Sequence, residues 1–258
     1  MNSRTPSRTV ALVMLTSLAA LVCSGASNAQ PPARGPGQHP TQTPQAASTV
    51  DLTGDWVSVV TGDWKFRMVT PNKGVLEGLP LNAEGRRIAD TWDPKQDTAN
   101  GEQCRAYGAA NIMRVPGRLR IKWESSDTLR IDTDAGMQTR LLKFGPPEKP
   151  GEPSWQGSTH AEWHKPTGPA AAGTGGSLKA VTTGLKPGYL RKNGAPYSDA
   201  TVLTEYYERQ SAPNGDSWLI VTQIVKDPKY LSRPYITSEN FKKIPDGQGW
   251  NPTPCSAN

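Results

Sequence analysis

In "TVLTEYYERQ" (201–210), strict alternation puts Glu205 on one face with Leu203 and Tyr207. A carboxylate set in an apolar wall resists ionisation and can serve as a general acid or base. Tyr206, on the alternate face, has a hydroxyl able to donate a hydrogen bond to a bound molecule. Glu205 and Tyr206 are therefore the catalytic candidates. The plainer use of such a glutamate is a surface pair with Lys or Arg.

The other chemistry-bearing residues point elsewhere. His160 and His164 flank Glu162 in "STHAEWH" (158–164). On a strand they lie about 13 Å apart at about 3.3 Å per residue, too far for one ion. Thr159, Ala161 and Trp163 make the better inward face, which sends both histidines outward. No HExxH or GxSxG is present, and Ser158 beside His160 is not a triad. The expectation is no metal and no cofactor.

Eight Trp and seven Tyr offer a second kind of chemistry, stacking and apolar contact with a flat ligand. Trp64, Phe66, Trp123, Trp163 and Tyr206 are expected to face inward and to form the ligand-binding set. Filling a dry core is the commoner use of such side chains.

Those residues must be carried by strands. "LRIKWE" alternates Leu119, Ile121 and Trp123 against Arg120 and Lys122. "TLRIDTD" and "MQTRLLKF" follow after short turns, so Arg118–Phe144 reads as three hairpin-linked strands. Asp134 and Arg140 are expected to pair across one of these turns. "STHAEWH", "SLKAVTT", "TVLTEYYERQ", "SWLIVTQIV" and "YITSENFKKI" continue the theme, with Asn214-Gly215-Asp216 as a hairpin turn. Only "NAEGRRIADTW" (82–92) predicts a helix, capped by Asn82 and stopped by Pro94. No βαβ rhythm is present. The reading is an all-β domain, a single antiparallel barrel of about 9–10 strands with one short helix, closed because closure removes sheet edges.

The ends set the compartment. Arg4 and Arg8, the apolar run Val10–Val22 and Ser27-Asn28-Ala29 predict a signal peptide over residues 1–29. Residues 30–48, rich in Pro, Gln and Thr, predict a disordered linker, leaving 49–258 as the barrel domain. No transmembrane segment is expected after cleavage, and the location is periplasmic or secreted. Cys23 leaves with the signal peptide, so Cys104 and Cys255 are expected to form a disulfide. The 29 Lys+Arg against 23 Asp+Glu are scattered without an aromatic stripe, which argues against nucleic acid as a partner.

"TGDW" occurs twice, at Thr53–Trp56 and Thr61–Trp64. The first opens the apolar run "WVSVV"; the second falls before "WKFRMV" and predicts a hairpin turn, with Gly62 supplying positive φ. Gly54-Asp55-Trp56 resembles the Gly-x-Trp motif of the lipocalins and wider calycins. That resemblance implies a Trp closing the barrel floor beneath a basic residue of the last strand, here Lys242 or Lys243. "PLNAEGRRIADTWDP", "WQGSTHAEW", "RKNGAPYSD" and "VKDPKYLSRPYITSENF", in that order, resemble an uncharacterised family of secreted bacterial proteins, which implies a shared fold and no particular chemistry. The expected function is a lipocalin-like, non-catalytic binder of a small hydrophobic or aromatic molecule. The alternatives are a metal-independent isomerase, lyase or hydrolase working within the barrel, and a protein-interaction module of the cell envelope.

Overall fold

A computed structural model describes residues 42–147, 149, 151–165 and 175–257. The predicted signal peptide, and the predicted linker as far as residue 41, lie outside the described residues. Within 42–48, the Pro44 carbonyl accepts from Trp163 Nε1 at 2.8 Å and Gln45 N–H donates to Ser126 O at 3.0 Å.

The elements run β1 (Gly54–Val59), α1 (Trp64–Arg67), α2 (Ala83–Ala89), α3 (Pro94–Ala99), a 3-10 turn (Arg105–Tyr107) and α4 (Ala109–Ile112). Then come β2 (Arg118–Ser125), β3 (Thr128–Thr133), β4 (Thr139–Phe144), β5 (Ser158–His164) and β6 (Ser177–Thr183). The chain ends with β7 (Gly188–Arg191), β8 (Ala195–Tyr197), β9 (Val202–Ser211), β10 (Ser217–Lys226) and β11 (Tyr235–Ile244). Nine strands close a barrel in the order β1-β11-β10-β9-β6-β5-β4-β3-β2, and β7 and β8 pair apart from it. The expected β-barrel is therefore present.

Two expectations about its construction are corrected. The barrel is not wholly antiparallel, because β4 and β5 run parallel over Leu142–Thr159, Lys143–His160 and Phe144–Ala161. Parallel pairing means that the chain has returned to the same end of the barrel before β5 begins. Nor is there one helix. α2 begins where expected, with Asn82 Oδ1 accepting from Gly85 N–H at 2.8 Å, but α1, α3 and α4 join it. Pro94, expected to stop a helix, opens α3, where its missing N–H costs nothing.

The two TGDW strings differ in structure as in context. Trp56 is fully buried, and its Nε1 donates to Leu52 O at 3.0 Å. Lys243 of β11 lies over the ring at 5.2 Å and donates to Thr53 O at 2.7 Å. Gly54 has φ +113, a conformation that calls for glycine, and a Cβ there would push aside the end of the Lys243 side chain at 2.8 Å. The second string makes no hairpin. Asp63, not Gly62, takes the left-handed conformation, at φ 53, and "WKFR" turns as α1. The tertiary reason lies in Arg67. Its Nη1 meets Glu239 of β11 at 2.5 Å and its Nε donates to Arg114 O at 2.8 Å. A strand through these residues would forfeit both contacts.

Cys104 and Cys255 form the expected disulfide, 151 residues apart. Around it the tail 250–257 is laid against the β3–β4 turn. Gly136 N–H donates to Thr253 O and Thr253 N–H to Asp134 O, both at 2.9 Å. Among the described residues no helix is long and apolar enough to cross a membrane.

Asp55, buried at the start of β1, receives the Arg120 fork at 3.0 Å on both oxygens and Gly247 N–H at 2.7 Å. Burial pushes its pKa up, but Arg120 and the Gly247 N–H outweigh burial and hold it below the ordinary 3.8. A lowered folded-state pKa contributes stability that is complete above the unfolded value and is lost as pH falls through the folded one. Unfolding by urea from pH 7 down to pH 2 should therefore show the wild type losing more stability below about pH 4 than Asp55→Asn does. Equal slopes would show that Asp55 does not carry this dependence. Closing so long a loop also predicts that Cys255→Ala lowers the unfolding free energy by about 2–5 kcal/mol, read from denaturant midpoints.

Candidate functional site

The inward positions of the strands divide the lumen into two regions. One is apolar: Trp56, Ile121, Leu129, Leu142, Leu178 and Phe241 are all buried there. Trp123, Phe144 and Trp163 pack against that cluster, with ring centroids 5.3 to 6.4 Å apart. The inward direction expected of Trp123 and Trp163 is thus found, as part of a closed aromatic layer. Together these side chains occupy the apolar part of the lumen.

The second region is ionic. Arg140 projects from β4 to Glu205 on β9, with β5 and β6 intervening in the barrel wall. Its Nη1 and Nη2 donate to the two carboxylate oxygens at 2.9 and 2.5 Å, and both side chains are 0 % exposed. Gln223 Nε2 donates to Glu205 at 3.1 Å, and Arg140 also donates to Tyr207 Oη at 3.2 Å and Thr182 Oγ1 at 3.3 Å. Burial disfavours the Arg140 charge, but the Glu205 carboxylate more than offsets this and holds the guanidinium above its ordinary range. Burial likewise pushes the Tyr207 phenol up. Glu205 is buried as the alternation predicts, yet it is committed to an ion pair. The expected Asp134–Arg140 pair is corrected: Asp134 accepts from Arg118 N–H at 2.6 Å, and Arg140 goes to Glu205.

Other expected site residues face outward. Trp64 is 64 % exposed on α1. Phe66 is half-buried, with the Arg191 guanidinium 4.2 Å from its ring centre. Tyr206 points away from the lumen and meets the His164 ring edge-on at 6.2 Å. The inward orientation expected of Trp64, Phe66 and Tyr206 is therefore corrected, Trp64 and Phe66 because they lie on α1 and not on a barrel strand. For Tyr206 the reason is register, since Glu205 and Tyr207 own the inner face of β9. Among the described residues no group of three His, Cys, Asp or Glu side chains could hold a metal ion.

An open recess lies on the outer wall. Where the short β4–β5 register ends at Leu142–Thr159, a groove of about 880 Å³ follows the seam. Its apolar lining includes Leu141, Phe144, Trp155 and Val181, and its polar lining includes Gln138, Gln156 and His160. Leu141 is 41 % exposed, an apolar residue on the wet face of β4. Lys186 lies over the Trp155 ring at 5.7 Å. Gln156 Nε2 is anchored to Tyr107 O at 2.8 Å and Gln138 Oε1 at 3.0 Å. Thr159, in the groove floor, shares a 2.8 Å hydrogen bond with Thr182, which in turn accepts from Arg140. The groove is thus seated on the ionic layer. Sequence reasoning passed over Leu141 and Trp155. Their signals were a break in alternation at "RLLK" and a tryptophan in "EPSWQG", where no strand hides it.

Comparison with protein-family models, curated proteins and solved structures finds no match to this chain. The architecture is accordingly described as a closed nine-stranded barrel.

Removing one partner of a fully buried ion pair strands the other charge. Glu205→Gln should lower the unfolding free energy by about 3–5 kcal/mol. The double variant Arg140→Met/Glu205→Met should lose less than the sum of the two single methionine substitutions. Denaturant titrations of the full set check both, and additive losses would show that the pair is not coupled.

Proposed function

We propose that this protein is an exported, non-catalytic β-barrel that binds a small amphipathic aromatic molecule on its outer wall. The observation that carries the reading is the groove at the β4–β5 seam beside a lumen whose apolar part is occupied by side chains. At about 880 Å³ the groove falls within the range usual for small-molecule sites, about 300–1,000 Å³. Trp155, Phe144 and Leu141 supply stacking and apolar area, while Gln138, Gln156 and His160 supply orientation. Burial of Glu205 in a saturated ion pair favours binding over the catalytic alternative, since a general base needs a free oxygen facing substrate. A periplasmic or secreted location is favoured by the predicted signal peptide and by the Cys104–Cys255 bridge, which persists in oxidising compartments. The Gly54, Trp56 and Lys243 arrangement supports a lipocalin-like floor, with the ligand held outside rather than inside.

Titration with the neutral fluorescent probe N-phenyl-1-naphthylamine tests the site. Saturable binding is expected, weakened about 3–10-fold by Trp155→Ala and by Leu141→Glu, the range an aromatic contact commands. Trp64→Ala, on the exposed α1, should leave it unchanged. No saturable binding, or affinity indifferent to Trp155 and Leu141, overturns the assignment.

A further inference from the structure

A second recess, of about 30 Å³, lies where α1 and α4 meet β7. Phe66, Arg67, Asn111, Arg114, Leu190 and Arg191 contribute to its lining. By this measure a single water needs about 10–15 Å³, so the recess accepts something larger.

Its charge is unbalanced. Three guanidiniums converge here, and two carboxylates answer them. Glu239 pairs with Arg67 at 2.5 Å and with Arg114 at 2.9 Å. Asp63 pairs with Arg114 at 2.9 Å but is 47 % exposed, so water screens its charge. Arg191 makes no carboxylate pair among the described residues. Its Nη1 and Nη2 donate to the backbone carbonyls of Val75 and Glu77 at 3.1 and 2.9 Å.

Several donors are also unused. Arg67, with only 4 % of its side chain exposed, has a buried Nη2 without a partner, and Arg191 has a buried Nε without one. The Tyr235 hydroxyl, on the residue whose ring lies 5.6 Å from Arg114, is likewise buried and unpaired. Buried polar groups left without partners are costly, and buried cations more so. Burial first, and the charge of Arg114 in the same direction, hold both Arg67 and Arg191 below the ordinary arginine range. An anion bound in the recess would offset the burial of Arg67 and Arg191, which both line it.

We infer that the Arg67–Arg114–Arg191 recess is a binding site for one small oxyanion, a phosphate or a carboxylate. Planar guanidinium forks match the paired oxygens of both groups. The site uses residues distinct from the groove lining, so it stands independently of the aromatic-ligand reading.

Calorimetric titration of the full chain with inorganic phosphate, with acetate, and with chloride at matched ionic strength tests the inference. Saturable one-to-one binding of phosphate or acetate, stronger than that of chloride, is expected, and the comparison of the first two identifies the preferred oxyanion. Arg191→Gln should weaken it about 10–100-fold, the worth of a charged hydrogen bond. Thr70→Glu, which places a carboxylate at a half-buried lining position, should weaken it comparably and serves where Arg191→Gln fails to fold. Trp155→Ala should bind the oxyanion normally. Absence of phosphate and acetate binding, chloride binding as tight as either, or wild-type affinity in Thr70→Glu overturns the site.

Discussion

Arg140 crosses the barrel to Glu205, and much else follows from that one pair. A guanidinium and a carboxylate at zero exposure are tolerable only with close partners, and both nitrogens of the Arg140 fork find them while its Nε does not. Gln223, Thr182 and Tyr207 therefore turn inward to complete the set, drawing polar residues from β6, β9 and β10 into what would otherwise be an oil-filled lumen. Glu239 makes a parallel demand from β11 and is met by Arg67 and Arg114, which arrive from the segment between β1 and β2. The interior is thus an ionic layer on an apolar floor. A hydrophobic guest entering the lumen would have to displace charged groups already paired.

On the proposed reading, recognition lies on the outside. The wall opens where three rungs of parallel pairing give out, and the side chains there include an exposed leucine and a half-buried tryptophan. The barrel supplies rigidity, and the interrupted seam supplies shape. The floor of the groove reaches the ionic layer through Thr159 and Thr182, which links the recess to the Arg140–Glu205 pair.

The strands were legible because their period is two and their flanking turns are explicit, as at Asp134–Gly136 and Asn214–Asp216. The α2 cap was legible from Asn82 alone, and the disulfide from the shortage of other cysteines. Direction was not legible: whether β5 runs with or against β4 is a tertiary pairing that no local pattern records. "WKFRMV" misled because six alternating residues satisfy a strand template, while Arg67 answers to a glutamate 172 positions later, a partner that propensity cannot see. Glu205 shows the same split. Its burial follows from its neighbours on β9, but its partner lies 65 residues upstream.

The closing seam of the barrel joins β1 to β11, setting Trp56 opposite Lys243. Such pairing depends on segments far apart along the chain, and so does the bridge between Cys104 and Cys255. Proteins dominated by distant pairings fold slowly, because the entropy of closing the loop must be met before any contact rewards it. Until that seam zips, β1 and β11 each present an unpaired edge to any neighbouring chain. The interval before closure is therefore when this molecule is most exposed to association with its own copies, and the covalent tie, once made, shortens the return from any later opening.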